Sequence, residues 1–337
     1  MKKYTVSVIV PNRNGEKYIA NCIKSILKEK EGNYEIVIVD DGSIDTSIKK
    51  IKPFTKYENV SLIQLDKPGG VAKARNIAVK QSSGDCLLFL DLDTEITPGW
   101  FENTVSFFKR NKKAGIGLVK LLIAGTKHFD STGELISSFG LLVERCNREE
   151  DQGQFDREEF VFSGKTAGMI VRREVFKFLG GFDEDYEIYM EDTDLCWRCW
   201  LSGYHVMYTP FIVVSHAYGT KPKSYYRFHK IYYRGSKNTI LMHVKNLGIT
   251  RLIFVLPIQY FIWITLLIST TLKGDRKKAH ALFSGITTSM ALIPKTLSKR
   301  AQVQSTRKCS DKKLFTIVGT HRPLSYFLTK AQIYVNN

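Results

Sequence analysis

Cys86-Leu87-Leu88-Phe89-Leu90-Asp91-Leu92-Asp93-Thr94-Glu95 is an apolar run that stops at two carboxylates one residue apart. A run this short, uncharged and opened by the turn residues Ser82-Ser83-Gly84, reads as a strand buried on both faces. Its acids then stand at the strand's C-terminal end. In an extended backbone, positions i and i+2 point to the same side about 7 Å apart, so Asp91 and Asp93 can converge on one hard cation and the diphosphate it holds. Mg2+ or Mn2+ suits such a site, because it takes carboxylate, phosphate and water oxygens and needs few protein ligands. The plainer alternative is that the two acids end the strand and cap a helix at Pro98.

The chain before this stretch alternates. Thr5 to Val10 is a β-branched run closed by Pro11, and Glu16 to Leu27 carries Tyr18, Ile19, Cys22, Ile23, Ile26 and Leu27 at helical spacing. Glu35 to Val39, a helix from Ser43 to Ile51, a strand at Val60 to Leu65 and a helix from Gly70 to Lys80 repeat the pattern. Strands interleaved with helices of this length predict an α/β fold, a parallel sheet covered on both faces with ligands at the strand C-termini.

Several polar clusters fall at such ends. Val39-Asp40-Asp41-Gly42-Ser43 follows a strand, and Ser43 is a plausible cap for the next helix. Asp41 either accepts hydrogen bonds from a ribose or base, as acids do in nucleotide folds, or only fixes the turn. Gly69-Gly70 opens a helix bearing Lys73 and Arg75, so its N–H groups could approach an anion. Phe101 to Phe108 reads as a helix and Ile116 to Ile123 as a strand. Glu144 to Glu159 is charged and irregular and reads as a mobile loop, closing over a site or simply solvated.

Later, the apolar segment Thr166 to Val171 and a helix from Glu174 to Leu179 are followed by Gly180-Gly181-Phe182-Asp183 and Glu191-Asp192-Thr193-Asp194. Acids in a first helical turn are favoured by the helix dipole alone. One of them in a pocket can also take a proton from a hydroxyl nucleophile. Glu191 and Asp194 share a helix face, which leaves Asp192 apart. A strand from Tyr208 to Ser215 delivers His216 to its end, where the imidazole is either structural or a third ligand beside two carboxylates.

Residues 1 to 220 hold 29 Lys and Arg against 31 Asp and Glu, a net of −2, while 221 to 337 hold 21 against 2. The whole +17 of the 337-residue chain therefore lies in its last third, which asks for an anionic partner there. The six cysteines lack framework spacing and point to a reducing compartment. Cys196-Trp197-Arg198-Cys199 has no second Cys or His pair and reads as a helix face. Met1-Lys2-Lys3-Tyr4 enters a strand pattern at once, without an apolar signal-peptide core.

Taken together, the first 220 or so positions resemble the nucleotide-sugar glycosyltransferases of family 2, the inverting enzymes of GT-A fold, and most of all their bacterial rhamnosyltransferase-type members. The matches run in the family's order: Val8-Ile9-Val10-Pro11-Asn12-Arg13-Asn14, Val39 to Ser43, Gly70 to Asn76, Asp91-Leu92-Asp93, Gly180 to Asp183, Glu191 to Arg198, and His216. The resemblance implies a GT-A catalytic domain over 1–220, a Rossmann-like, mostly parallel sheet flanked by helices. It implies that Pro11, Asn14 and Asp41 line the nucleoside pocket, that Arg75 approaches the diphosphate and that Asp91 contacts ribose or metal. Asp93 would bind Mg2+ or Mn2+, with His216 completing the coordination. Asp192 would be the base that deprotonates the acceptor, and Glu191 would help position it. His216 is followed by Ala217-Tyr218-Gly219, where many relatives carry a second histidine. The implied substrates are a UDP- or dTDP-sugar and a hydroxyl of a glycan or lipid-linked glycan. A polyprenyl-phosphate sugar synthase is the near rival.

Leu252 to Leu272 has 21 residues without a charge, the length of a membrane span, with Tyr260 and Trp263 suited to a bilayer edge. Residues 221 to 251 carry eight Lys and Arg and no acid, and 273 to 313 carry eleven against two, so both flanks favour the cytoplasmic side. A shallow in-plane helix, or a hairpin with Ala281 to Pro294 as second arm, satisfies both better than a single crossing. The 221–337 region is thus expected to be a membrane-associating tail on an anionic cytoplasmic face. Nucleic-acid binding, suggested by basic pairs such as Tyr225-Tyr226-Arg227 and Tyr232-Tyr233-Arg234, is disfavoured by the slightly acidic front and the absence of a reader motif.

Overall fold

The computed structural model describes residues 4–146, 148–217 and 228–320. Thr5–Asn12 (β1), Ile19–Leu27 (α1), Asn33–Asp40 (β2), Ser47–Ile51 (α2), Val60–Gln64 (β3), Val71–Lys80 (α3) and Cys86–Leu90 (β4) form the expected alternation. Thr94–Ile96 (β5), Trp100–Arg110 (α4), Ala114–Ile123 (β6), Phe129–Ser131 (β7), Glu134–Ser137 (β8), Leu142–Glu144 (β9), Glu159–Phe160 (β10) and Gly168–Arg172 (β11) come next. Arg173–Phe178 (α5), Glu191–Leu201 (α6), His205–His216 (β12), Phe228–Asn246 (α7), Ile249–Leu272 (α8), Arg276–Ser305 (α9), Asp311–Val318 (α10) and Gly319–Thr320 (β13) complete the order.

The chain divides into two compact units, Met1–Glu134 with Glu144–Cys199 and Tyr204–Lys221, and Leu135–Val143 with Trp200–Gly203 and Pro222–Asn337. The expected boundary between 220 and 221, and the Tyr225-Tyr226-Arg227 cluster, lie outside the described residues.

In the first unit the sheet runs β10-β12-β6-β11-β4-β1-β2-β3, with β5 on β12 and β7 on β6. Strand β4 pairs in parallel with β1, Val8 opposite Leu88, and every one of its residues is buried. Its Leu87, Leu88, Phe89 and Leu90 each contribute about 1.5–3 kcal/mol by leaving water. The sheet is mixed rather than parallel throughout: β11 is antiparallel to both β4 and β6. It arrives from the irregular stretch before it, not from a helical crossover, so nothing imposes a parallel entry.

Two local expectations are corrected. Ser43 does not cap a helix; α2 starts at Ser47, because Asp40 captures the Ser43 N–H at 2.9 Å and its hydroxyl at 2.6 Å and holds the intervening residues as a turn. Nor does the stretch up to Glu159 stand clear of the sheet as a merely solvated run. Lys120 on β6 holds it with ion pairs to Asp151 (2.8 Å) and Asp156 (2.6 Å), and Phe155 packs edge-on against Phe129 at 5.2 Å.

The second unit is helical, with a short sheet β13-β8-β9. Gly285 lets α9 lie against α7, since a Cβ there would meet the Ser236 hydroxyl and the Tyr233 carbonyl. Arg300 donates to the carbonyls of Val244 and Leu247 at the end of α7, and Gln304 to those of Lys245 and Asn246, closing a terminus that would otherwise leave orphan acceptors. Among the described residues α8 alone is long and apolar enough to cross a membrane by length and composition. Ile253, Phe254, Phe261, Ile264 and Ile268 on α8 are exposed, as are Phe283, Met290 and Leu297 on α9.

Candidate active site

Strand β4 ends at Leu90, and Asp91 to Asp93 turn rather than continue extended. Thr94 holds that turn, its N–H and hydroxyl both donating to the Asp91 carbonyl at 3.2 and 2.7 Å. Strand β5 then pairs with the end of β12, Thr94 opposite His216, and the Ala217 N–H donates to the Asp93 carbonyl at 2.9 Å. The sheet itself thus carries His216 to the two acids. Ligand atoms of Asp91, Asp93 and His216 lie within 4.8 Å of one another, with His216 Nε2 3.6 Å from Asp93 Oδ1. Two ligands each about 2.1 Å from an ion are at most about 4.2 Å apart, so the three atoms stand close to coordinating positions. Two carboxylates and one imidazole fit a divalent cation of the Mg2+ and Mn2+ kind. They do not cap the following helix: Glu29 takes that role, accepting from the N–H groups of Gly99 at 2.7 Å and Phe101 at 3.4 Å.

Behind His216 stands Asp130, on β7. Its Oδ2 is 2.9 Å from His216 Nδ1, and its Oδ1 accepts from Lys165 Nζ at 3.0 Å. Burial opposes the charged ring, but hydrogen bonds to Asp130 and Asp93 outweigh it and push His216 up to about 9. Asp130 is held below the usual carboxylate range although burial works against it, because His216 and Lys165 favour its charge.

The acids of α6 are sorted by their arginines. Arg75 on α3 is 2 % exposed and joins two elements, Nη2 donating to Asp91 Oδ1 at 2.7 Å and Nη1 to Glu191 Oε1 at 2.8 Å. Its charge is therefore met by protein, and its guanidinium lies 5.5 Å over the Phe182 ring. Arg198 binds Asp194 at 2.8 Å and reaches back to the carbonyls of Leu179 and Gly181. Asn76 clasps Phe182 by both amide atoms, so the Gly180 to Asp183 turn is tied to α3 and α6 together. Asp192 pairs with neither arginine. It accepts the Thr193 N–H at 2.8 Å and is only partly buried, whereas Glu191 and Asp194 are buried. Burial and the charge of Asp192 push Glu191 up to about 7 against the pull of Arg75, and burial likewise raises Asp192. The backbone before these acids is strained: Glu187, Tyr189 and Met190 all have left-handed φ, at 60°, 69° and 70°.

On the other side of Asp91, Asp40 gathers Asn12 Nδ2 at 2.6 Å together with Ser43. Asp41 accepts the N–H groups of Gly69 at 2.6 Å and Gly70 at 3.0 Å. Those two donors, expected to be open to an anion, are thus taken by a side chain. Asn14, at φ 51°, accepts from the Ile44 N–H at 2.9 Å, and Pro11 is buried in β1 opposite Val39. Cys196 and Cys199 are buried on α6 as helix-face residues.

Three residues near the site escaped the sequence reading: Asp130, Lys165 and Glu134. Glu134 accepts from the Ser163 hydroxyl at 2.6 Å, and burial pushes its carboxyl up to about 7. The one available signal was Ala124-Gly125-Thr126, a turn after a strand that announces a hairpin and hence a return strand at 129.

A model of glycosyl transferase family 2 matches residues 7–180, just over half of the chain. The chain belongs to glycosyl transferase family 2. Curated relatives of this family 2 chain include the Staphylococcus aureus poly(ribitol-phosphate) beta-N-acetylglucosaminyltransferase TarS, 36% identical over 104 residues, covering 30% of this chain and 18% of that protein. The teichoic acid poly(glycerol phosphate) polymerase of Staphylococcus epidermidis is 38% identical over 177 residues, 51% of this chain and 23% of the relative. The chain spans less than a quarter of the length of the first curated relatives it matches. Among solved structures, S. aureus TarS 1-349 in complex with UDP-GlcNAc has a TM-score of 0.57 at 19% identity, covering 90% of this chain and 89% of that one. The mannosyltransferase PcManGT from Pyrobaculum calidifontis, in complex with GDP-Man and Mn2+, has a TM-score of 0.54 at 16% identity over 91% and 86%. These likenesses establish the GT-A fold of the family 2 chain.

Proposed function

We propose that this family 2 chain is an inverting glycosyltransferase that moves a sugar from a UDP- or dTDP-sugar to a hydroxyl of a glycan or lipid-linked glycan in cell-surface polysaccharide synthesis. The convergence of Asp91, Asp93 and His216 at the end of β4 carries this reading. Relatives named for teichoic acid synthesis support the pathway class, and structures named for bound UDP-GlcNAc or GDP-Man support a nucleotide-sugar donor. Asp91, Asp93 and His216 would hold a divalent cation, whose positive charge would offset that growing on the leaving diphosphate.

The protein's own groups do the rest. Asp192 accepts the proton of the acceptor hydroxyl. The acceptor oxygen bonds to the anomeric carbon while the bond to the diphosphate oxygen breaks, and that oxygen leaves with the electron pair. Arg75 keeps Asp91 and Glu191 in fixed relation, so donor and acceptor ends share one anchor. Pro11, Asn14 and Asp41 border the nucleoside side. Asp93→Ala should lower turnover about 100-fold, since metal charge stabilisation is worth several kcal/mol, with an unchanged circular dichroism spectrum. Purified protein incubated with UDP-, dTDP- and GDP-sugars should release one nucleoside diphosphate, and chelator should stop it. Full activity of Asp93→Ala in excess chelator counts against the reading.

We further propose that the second unit rests on an anionic membrane at the cytoplasmic face. Exposed Phe254, Phe261 and Ile264 on α8 meet acyl chains while the basic flanks meet headgroups. The protein should sediment with vesicles containing phosphatidylglycerol and only weakly with phosphatidylcholine, and F254S/F261S should remain in the supernatant. Equal sedimentation of that variant, or steeply salt-dependent DNA binding in its place, would overturn the assignment.

A further inference from the structure

We propose that Asp130, clamped by Lys165, is a positioning residue that commits the Nδ1 proton of His216 and turns Nε2 toward Asp93, biasing the centre toward Mn2+ over Mg2+. The inference rests on the metal reading above and deepens it.

Each oxygen of the Asp130 carboxylate has one task. Oδ2 faces His216 Nδ1 at 2.9 Å, and Oδ1 takes Lys165 Nζ at 3.0 Å, with the same ammonium donating to the Asp130 backbone carbonyl at 3.1 Å. Asp130 is 8 % and His216 4 % exposed, so neither side chain is free to swing. The sheet fixes the spacing: β6 lies between β7 and β12, pairing Leu122 with Phe129 on one edge and Ile123 with His216 on the other.

An imidazole presents a lone pair from only one nitrogen at a time, and the hydrogen bond at the other decides which. Nε2 faces Asp93 Oδ1 at 3.6 Å. Without an acceptor at Nδ1, the proton can settle on Nε2 as a donor to Asp93, and the nitrogen is lost as a ligand. In the neutral ring, the form that binds a cation, Asp130 removes that alternative. Carboxylate partners of this kind orient metal-binding histidines in general. The consequence for ion choice follows from donor type: both ions take carboxylate oxygen, but Mg2+ is the harder of the two and holds an imidazole nitrogen more weakly than Mn2+ does. A locked Nε2 therefore helps Mn2+ more than Mg2+. Lys165 holds the Asp130 side chain and backbone carbonyl together from the far side, so the carboxylate cannot turn away from the ring, which makes the pair one device.

The test uses the whole 337-residue chain with UDP present and MnCl2 or MgCl2 as probe. In D130L/K165M, which removes both charges together, the Mn2+ dissociation constant should rise about 10–100-fold and that for Mg2+ less than about threefold. Pulsed electron paramagnetic resonance of the bound Mn2+ should show 14N modulation from an imidazole in the wild type and lose it in the variant. A purely structural role would not move that signature. Should the double variant fail to fold, D130N carries the same two measurements, with a shift of about tenfold expected. Unchanged Mn2+ affinity with intact 14N modulation in the folded variant overturns the positioning role alone. Wild-type protein that binds Mn2+ without 14N modulation removes His216 as a ligand, and wild-type protein that binds no Mn2+ ends the metal reading itself.

Discussion

Changing Asp192 to asparagine is expected to cut kcat by about 10²–10⁴-fold while calorimetry finds the donor bound as before. The carboxylate is well placed to act on an acceptor, because the two acids that flank it are spent on Arg75 and Arg198. Its pKa gives a second readout. Burial raises Asp192 from its ordinary value, and in the proposed reaction its ionised form is the base. Activity should therefore fall as pH drops through this raised value, and the acidic limb of kcat/KM should lie nearer neutrality than for an exposed aspartate. Residual activity of the asparagine variant should show no such limb. If D192N keeps most of the rate, the acceptor is a phosphate that has no proton to give, and a polyprenyl-phosphate sugar synthase replaces the proposed activity.

Replacing Arg75 by methionine should destabilise the protein by about 3–5 kcal/mol, a fall in Tm on the order of 10 °C. The guanidinium serves Asp91 and Glu191 at once from a site 2 % exposed, so its removal leaves two carboxylates facing each other without a counter-charge. The pH dependence has a definite sign. Burial and Asp192 already push Glu191 up to about 7, and loss of Arg75 moves it higher. A carboxyl with its folded pKa above its unfolded one binds more protons when folded, so the stability it lends is lost as pH rises through the folded value. Melting curves should therefore show R75M closest to wild type at pH 5 and furthest from it at pH 8. Adding E191Q should recover part of the loss at pH 8. A neutral R75M would mean that Asp91 and Glu191 are solvated well enough to need no partner.

The front of the sheet was legible because its signals are local. From Thr5 to Leu90 each strand and helix carries its own period, and the apolar run into Asp91 announces both the central strand and its loaded end. The later strands are different. β7 and β10 have three and two residues and no period of their own; they exist because β6 and β12 offer edges to pair with. Asp130 was invisible for that reason: its importance comes from a neighbour 86 positions away. Ser43 misled because a cap residue and a turn residue look alike in sequence, and Asp40 decided between them. The charged run from Glu144 to Glu159 looked solvated because the charge that answers it, Lys120, lies on a distant strand.

Glu187, Tyr189 and Met190 carry a burden that their chemistry does not suit. Glycine or asparagine would sit in a left-handed backbone far more comfortably, and each of these three positions costs on the order of 1–3 kcal/mol as it stands. A fold that tolerates such discomfort directly ahead of Glu191 and Asp192 has its ease elsewhere, in the Phe182 knot and the arginine ties of α3 and α6. Aim, more than comfort, governs this short approach to the helix.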